Sequence, residues 1–294
     1  MKKHAYLIIA HGKFHMLKRL IAALDDERND IFIHIDKKSG EIDENEFEKC
    51  ALKSQVTFVS RISVTWGADN IVFSEMLLLK AAFNKGNYQY YHLLSGMDYP
   101  IKTQEEIHAF FDKNQGMEFI DYWNRDLKEY QYRVQYYYPL QEKIGRYTYD
   151  LKTILLRIQS KLYVFFQWMG KVNRLKTYKG ELKIGSQWVS ITNRFCEYLL
   201  KNEELIYMLF EKGIAVDELF IQTLCWNSEF RYNIYREGAM RLIDWKRGNP
   251  YEWKEEDIDE ILKSKCLFLR KVTDKNNLVD IIESRLAGEK NGKN

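Results

Sequence analysis

The chain opens on alternating blocks of apolar and polar positions. HAYLIIAHG, from His4 to Gly12, is a short apolar run closed by a glycine, the pattern of a buried strand that feeds a turn. Phe14, Leu17, Leu20, Ile21 and Leu24 then recur at helical spacing, and IFIHID reads as a second strand ending on Asp36. VTFVS predicts a third strand, and ADNIVFSEMLLLKAAF a long helix starting near Asp69 or Asn70. YQYYHLLSG predicts a fourth strand, broken by Gly96 and Pro100; QEEIHAFF a helix capped by Thr103; and MEFIDYW a fifth strand. This alternation predicts an α/β chain, with a mostly parallel sheet and helices on both faces. Ligands bind such sheets at the carboxyl ends of the strands.

From Asn124 to Lys183 the alternation stops. RVQYYYPL is crowded with aromatics, and LKTILLRIQSKLYVFFQWMGKV reads as an amphipathic helix. After Gly185, QWVSIT is strand-like, helices follow around FCEYLLK, EELIYMLFEK and DELFIQTLCW, and a last strand and helix lie near CLFLRKV and LVDIIESRL. With 294 residues and neither repeat nor linker, the expected organisation is one domain over 1–286, with a nucleotide-binding part at about 4–123, an insertion at 124–183 and an acceptor and catalytic part at 184–286. Residues 287–294, AGEKNGKN, read as a disordered tail.

Charge changes the picture only locally. The net charge of +3 points neither to nucleic acid nor to a strongly acidic polymer. Yet ten Lys or Arg and only three acids lie between Glu142 and Lys183. Cys50, Cys196, Cys225 and Cys266 are far apart and unpaired in pattern, which favours buried free thiols in a reducing compartment. The apolar run Ala5–Ala10 is too short for a signal peptide or membrane span, so a cytoplasmic protein is expected.

The strings AHGK, HIDKK, TWG, SGMDYPIKT, GSQWV, VDE, DWKRG and LFLRK occur in that order from about His4 to about Lys271. Together they resemble the core-2/I-branching β-1,6-N-acetylglucosaminyltransferase family, to which the protein O-xylosyltransferases are related. The resemblance implies a GT-A type fold and inverting transfer of a sugar from a UDP donor to an acceptor hydroxyl, without a metal cofactor. Many GT-A enzymes hold the donor diphosphate through a metal bound by an Asp-x-Asp motif, because the leaving group gains negative charge. Here the one Asp-x-Asp is Asp257-Ile258-Asp259, which reads as the acidic first turn of a helix.

Two basic side chains replace the metal in the family. The matching positions are Arg247 in DWKRG and Lys271 in LFLRK, with Arg270 as a basic neighbour easily mistaken for either and counted with them as a diphosphate contact. Cations on the diphosphate stabilise charge that grows only as the glycosidic bond breaks. Glu218 in AVDELF matches the family's catalytic base and is expected in the first turn of a helix capped by Asp217, where the helix dipole favours its charged form. The plain alternative is a glutamate that only stabilises its helix.

For the nucleoside, the resemblance points to Ala10, His11 and Gly12 and to Asp36, whose alternative is a turn cap beside Lys37 and Lys38. His34 reads as a satisfied core histidine. Asp98 is expected to hydrogen-bond its own turn, and also to touch donor sugar or acceptor. Trp66 and Trp245 are candidate stacking platforms for sugar rings, and Asp121 and Arg133 candidate acceptor contacts.

The function expected is transfer of N-acetylglucosamine in surface polysaccharide synthesis. Alternatives are a transferase for UDP-xylose, UDP-galactose or another hexose, and a non-catalytic nucleotide- or glycan-binding module. Expected partners are a UDP-sugar and a glycan or lipid-linked glycan, with no nucleic acid. The basic aromatic helix has two readings: an anchor on anionic membrane, or a helix packed on the domain or on a second subunit of a homodimer.

Overall fold

The computed structural model describes residues 2–146 and 148–291. Its main sheet contains β1 (Lys3–Ala10), β2 (Asn29–Ile35), β3 (Gln55–Phe58), β4 (Tyr88–Ser95) and β6 (Ser190–Thr192), in the order β3-β2-β1-β4-β6. The first four strands are parallel, and β6 runs antiparallel to β4. A second sheet, of order β5-β8-β7, joins β5 (Asp98–Pro100), β7 (Arg241–Ile243) and β8 (Phe268–Arg270).

The continuous apolar run of β1 has its reason in the two faces it feeds. Ala5, Leu7 and Ile9 pack on one side with Val72, Met76 and Leu79 of α2 (Asn70–Lys85). Tyr6, Ile8 and Ala10 pack on the other with Leu17, Leu20 and Ile21 of α1 (Phe14–Ala23) and with Ile107 and Phe111 of α3 (Gln104–Lys113). A strand buried on both faces has no room for polar alternation. Each such aliphatic side chain contributes about 1.5–3 kcal/mol of burial. As the sequence predicts, Thr103 caps α3 in a reciprocal box: its hydroxyl accepts from Glu106 N at 3.2 Å, and the Glu106 carboxylate accepts from Thr103 N at 3.0 Å.

The stretch MEFIDYW departs from expectation. It forms two isolated bridges, Glu118 to Ile234 and Phe119 to Ser190, rather than a ladder strand. Side chains anchor it instead. Buried Glu118 accepts from Thr192 N at 2.9 Å and Thr192 Oγ1 at 2.5 Å, and Asp121 accepts from Ala239 N at 2.8 Å.

Beyond it the chain makes α4 (Leu151–Met169), α5 (Asn193–Lys201), α6 (Glu203–Phe210), α7 (Phe220–Trp226), α8 (Ile258–Lys263) and α9 (Leu278–Asn291). The last helix runs past Leu286 into the stretch read as tail, because Leu278, Val279 and Ile282 continue a buried helical face against Tyr99, Trp253 and Leu269. Residues 292–294 of that tail lie outside the described residues. No helix among the described residues is long and apolar enough to cross a membrane.

Candidate functional site

The carboxyl ends of β1, β2 and β4 meet at one edge. Ala10 pairs with Ile35 and Ile9 with Ser95, so residues 10–12, 36 and 95–98 share the rim. Asp36 N donates to Ala10 O at 2.9 Å, and Gly96 N to Ile9 O at 2.9 Å. Gly96 packs tightly on β1: a Cβ there would stand 3.1 Å from the Ala10 Cβ. Gly12 has φ +128, a backbone that glycine adopts freely, and it turns the chain away from the rim after His11.

Asp36 is buried at the rim and caps the following turn. Its Oδ1 accepts from Lys38 N at 2.9 Å and Val64 N at 3.3 Å, and Lys38 Nζ lies 3.7 Å from Oδ2. The turn-cap alternative therefore describes the carboxylate as it stands. His34 is a core histidine whose Nε2 accepts from Ile62 N at 3.1 Å. His11 reaches the surface, but desolvation still holds its imidazole below the ordinary value. Asp36 opposes that shift, while Arg270, Lys271 and Arg146 add to it. Those charges gather at this rim.

The second sheet carries the cations in. Asp98 and Arg270 are register partners across β5 and β8, and Arg270 Nη1 donates to Asp98 Oδ1 at 2.7 Å. Asp98 also accepts from Ser95 N at 2.9 Å and Ser95 Oγ at 3.1 Å, so it holds its turn as predicted and holds Arg270 as well. The guanidinium also donates to Ser95 Oγ and lies 4.2 Å from the centre of the Trp188 ring. Lys271 Nζ pairs with Glu252 Oε1 at 2.9 Å.

Arg247 is differently placed. It is held by Asp244, by Asp257 at 2.9 Å and by Glu260 at 3.0 Å, over the rings of Tyr251 and Trp253. Asp257, half of the Asp-x-Asp, thus pairs with Arg247 and accepts from Lys254 N at 2.9 Å. Among the described residues no group of three or more His, Cys, Asp or Glu is arranged to hold a metal.

Glu218 does not sit in the first turn of a helix. Val216–Glu218 is a 3-10 turn and α7 starts at Phe220, so the dipole and the Asp217 cap give way to a direct pair. Arg133 Nη1 donates to Glu218 Oε2 at 2.6 Å and to Ala215 O at 3.2 Å. Beside it, desolvation first and then the charge of Glu218 push Asp217 up to about 7. Buried Glu75 lies beyond it, shifted well above the carboxylate range by desolvation and then by Asp217.

The candidate sugar contacts split. Trp66 and Trp245 are exposed, as open stacking faces must be, and the Arg146 guanidinium lies 6.0 Å from the Trp66 ring. The loop that carries Trp66 touches the loop that carries Glu218, since Ala215 N donates to Gly67 O at 2.8 Å. Asp121 is committed to the Ala239 backbone, and burial raises its pKa.

Sequence reasoning did not single out Glu252, which holds Lys271, or Trp188, which supports Arg270. Nor did it single out Arg241, buried with its guanidinium on Ala239 O, Val189 O and Ser190 Oγ. The EW pair before the last acidic helix was the one available signal for Glu252.

His11, Asp36, Asp98 and the cations Arg270 and Lys271 thus stand at the carboxyl edge of the sheet, where open α/β sheets bind ligands. A profile of the Core-2/I-Branching enzyme family matches residues 4–265, and the chain belongs to that glycosyltransferase family. The mostly parallel sheet with helices on both faces agrees with the GT-A type fold that the motifs imply.

The chain is 21% identical over 314 residues to "Xylosyltransferase 2" of Pan troglodytes, covering 97% of this chain and 34% of that protein. It is 22% identical over 310 residues to "Beta-glucuronosyltransferase GlcAT14B" of Arabidopsis thaliana, covering 98% and 67%. It thus spans about a third of the length of the xylosyltransferase. Among solved structures, the apo form of mouse xyloside xylosyltransferase 1 aligns over 92% of this chain and 97% of its own, with 11% identity and a TM-score of 0.40.

Proposed function

We propose that the chain is a metal-independent, inverting glycosyltransferase that moves N-acetylglucosamine from a UDP donor to a glycan hydroxyl in a β-1,6 linkage, in surface polysaccharide synthesis. The observation that carries this reading is the charge around His11: Arg270 and Lys271 at the carboxyl edge of a nucleotide-binding sheet, on a chain of this family. Ala10, His11, Gly12 and Asp36 bind the nucleoside. Arg270 and Lys271 bind the diphosphate, with Arg247 behind them.

In the transfer step the acceptor oxygen attacks the anomeric carbon and gives its proton to Glu218. The bond from that carbon to the diphosphate oxygen breaks, and its electron pair leaves on UDP. Arg133 occupies Glu218 Oε2, so we assign the proton to Oε1. Trp66 and Trp245, both open to solvent, border the sugars. Growing charge on UDP meets Lys271 and Arg270, which exchange Glu252 and Asp98 for phosphate oxygens. Metal independence is supported by the use of Asp257 as a partner of Arg247.

The xylosyl- and glucuronosyltransferase relatives favour UDP-xylose or another UDP-sugar as a second donor reading. A panel of UDP-sugars, read by UDP release with a glycan acceptor, separates the two. N-acetylglucosamine is the expected donor, and turnover of UDP-xylose alone would replace it. No turnover with any donor favours a binding module.

A further inference from the structure

We propose that α4 is an interfacial anchor that lies with its outer face in an anionic lipid bilayer. The helix is turned the unusual way round. Leu151, Leu155, Ile158, Leu162, Phe165 and Met169 fall on one stripe, at spacings of four and three residues, and all of them are exposed. Phe166, at the stripe's edge, is 63% exposed. The two residues of the helix that are buried are polar, Thr153 and Gln167.

Those polar contacts fasten the helix by its inner face. Gln167 closes a pair of hydrogen bonds with the Tyr137 backbone, accepting from N and donating to O, each at 2.9 Å, and Thr153 Oγ1 accepts from Thr148 Oγ1 at 3.0 Å. An amphipathic helix in water turns its apolar stripe to the core. This one is pinned with that stripe outward, so the reading of a helix that packs its apolar face on its own domain fails. Contiguous apolar surface of this kind marks an interaction site.

Charge selects the partner. From Leu151 to Met169 there are three cations, Lys152, Arg157 and Lys161, and no Asp or Glu. On a helical wheel the exposed Lys152 and Lys161 flank the stripe on opposite sides, where their stems can lie along lipid while their ammonium groups meet anionic headgroups. Exposed Trp168 and Tyr163 also flank it, as aromatics do at a bilayer interface. A second copy packed on the same stripe would line both edges of the seam with cations and no acid to pair them. The occupant is therefore lipid.

Co-sedimentation with phosphatidylcholine vesicles, with and without phosphatidylglycerol, tests this. The protein should pellet with the phosphatidylglycerol vesicles, and binding should weaken as salt rises. Replacing Ile158, Leu162, Phe165 and Phe166 with Ser should abolish binding while leaving the melting temperature unchanged, because these side chains are already outside the core. Lys152→Gln with Lys161→Gln should weaken binding about 30-fold, at about 1 kcal/mol for each cation near an anionic surface. The proposal is overturned if the protein stays in the supernatant at low salt, or if neither variant alters binding. It is also overturned if the Ser variant unfolds, or if it splits a dimer in analytical ultracentrifugation while vesicles bind nothing.

Discussion

Replacing Glu218 with Gln separates the chemistry of the base from its architecture. The amide oxygen of Gln can still accept from Arg133 Nη1, which now lies 2.6 Å from Oε2, so the 3-10 turn and the Gly67–Ala215 contact should stay in place. Losing the charge of a partly exposed pair costs stability on the order of 1 kcal/mol or less. The amide cannot take a proton at neutral pH. General base catalysis contributes about 10²–10⁴ in rate, so the barrier should rise by about 2.7–5.5 kcal/mol. The assay is initial-rate UDP release at saturating donor and acceptor, with UDP affinity from calorimetry and a melting curve alongside. We expect kcat to fall by about 100-fold or more while UDP affinity and melting stay near wild type. A kcat within about threefold of wild type would show that the proton goes elsewhere.

Lys271→Ala should weaken UDP binding by about 10-fold, as expected for one lost charge-assisted contact, and Arg247→Ala by less because three carboxylates already hold that guanidinium; wild-type affinity in the Lys271 variant would remove it from the diphosphate site. Acid should unfold the protein partly through buried His4, His92 and His108, which are held neutral chiefly by burial, His108 at about 4. A depressed imidazole contributes stability above its unfolded value and loses it as pH falls from about 6.5 towards 4, worth about 3 kcal/mol for His108. Glu118 and Asp217, both raised to about 7, act in the opposite direction over the same range. Denaturant titrations at several pH values should therefore show His108→Gln losing less stability on acidification than wild type, and parallel losses would contradict this. Gly185→Ala should cost about 4 kcal/mol or more, since its Cβ would sit 1.8 Å from the Asp121 carbonyl oxygen; an unchanged melting curve would refute that clash.

What the sequence shows well is whatever is local. The strand from Lys3, the capped helix after Thr103 and the turn at Gly96 each follow from periodicity or from side-chain chemistry within a few residues. The second sheet was illegible as a sheet, because its strands are three residues each and carry no period to detect. Pairings across long separations were equally hidden: Arg133 meets Glu218 from 85 residues away, and Arg270 meets Asp98 from 172. Motifs named Glu218, Asp98 and Arg270, and Arg133 stood only as a candidate acceptor contact, but nothing in the sequence showed that these side chains touch. The outward turn of α4 was hidden for a different reason. Periodicity shows that a helix has an apolar face, but not which way the rest of the protein holds it.

The most direct test of metal-independent transfer is UDP release by the wild-type protein in excess EDTA, with the Glu218→Gln variant run beside it. The predicted result is an unchanged initial rate in chelator that vanishes in the variant. Loss of turnover in EDTA that Mn²⁺ restores would contradict it, and would return the role given to Lys271 and Arg270 to a metal ion.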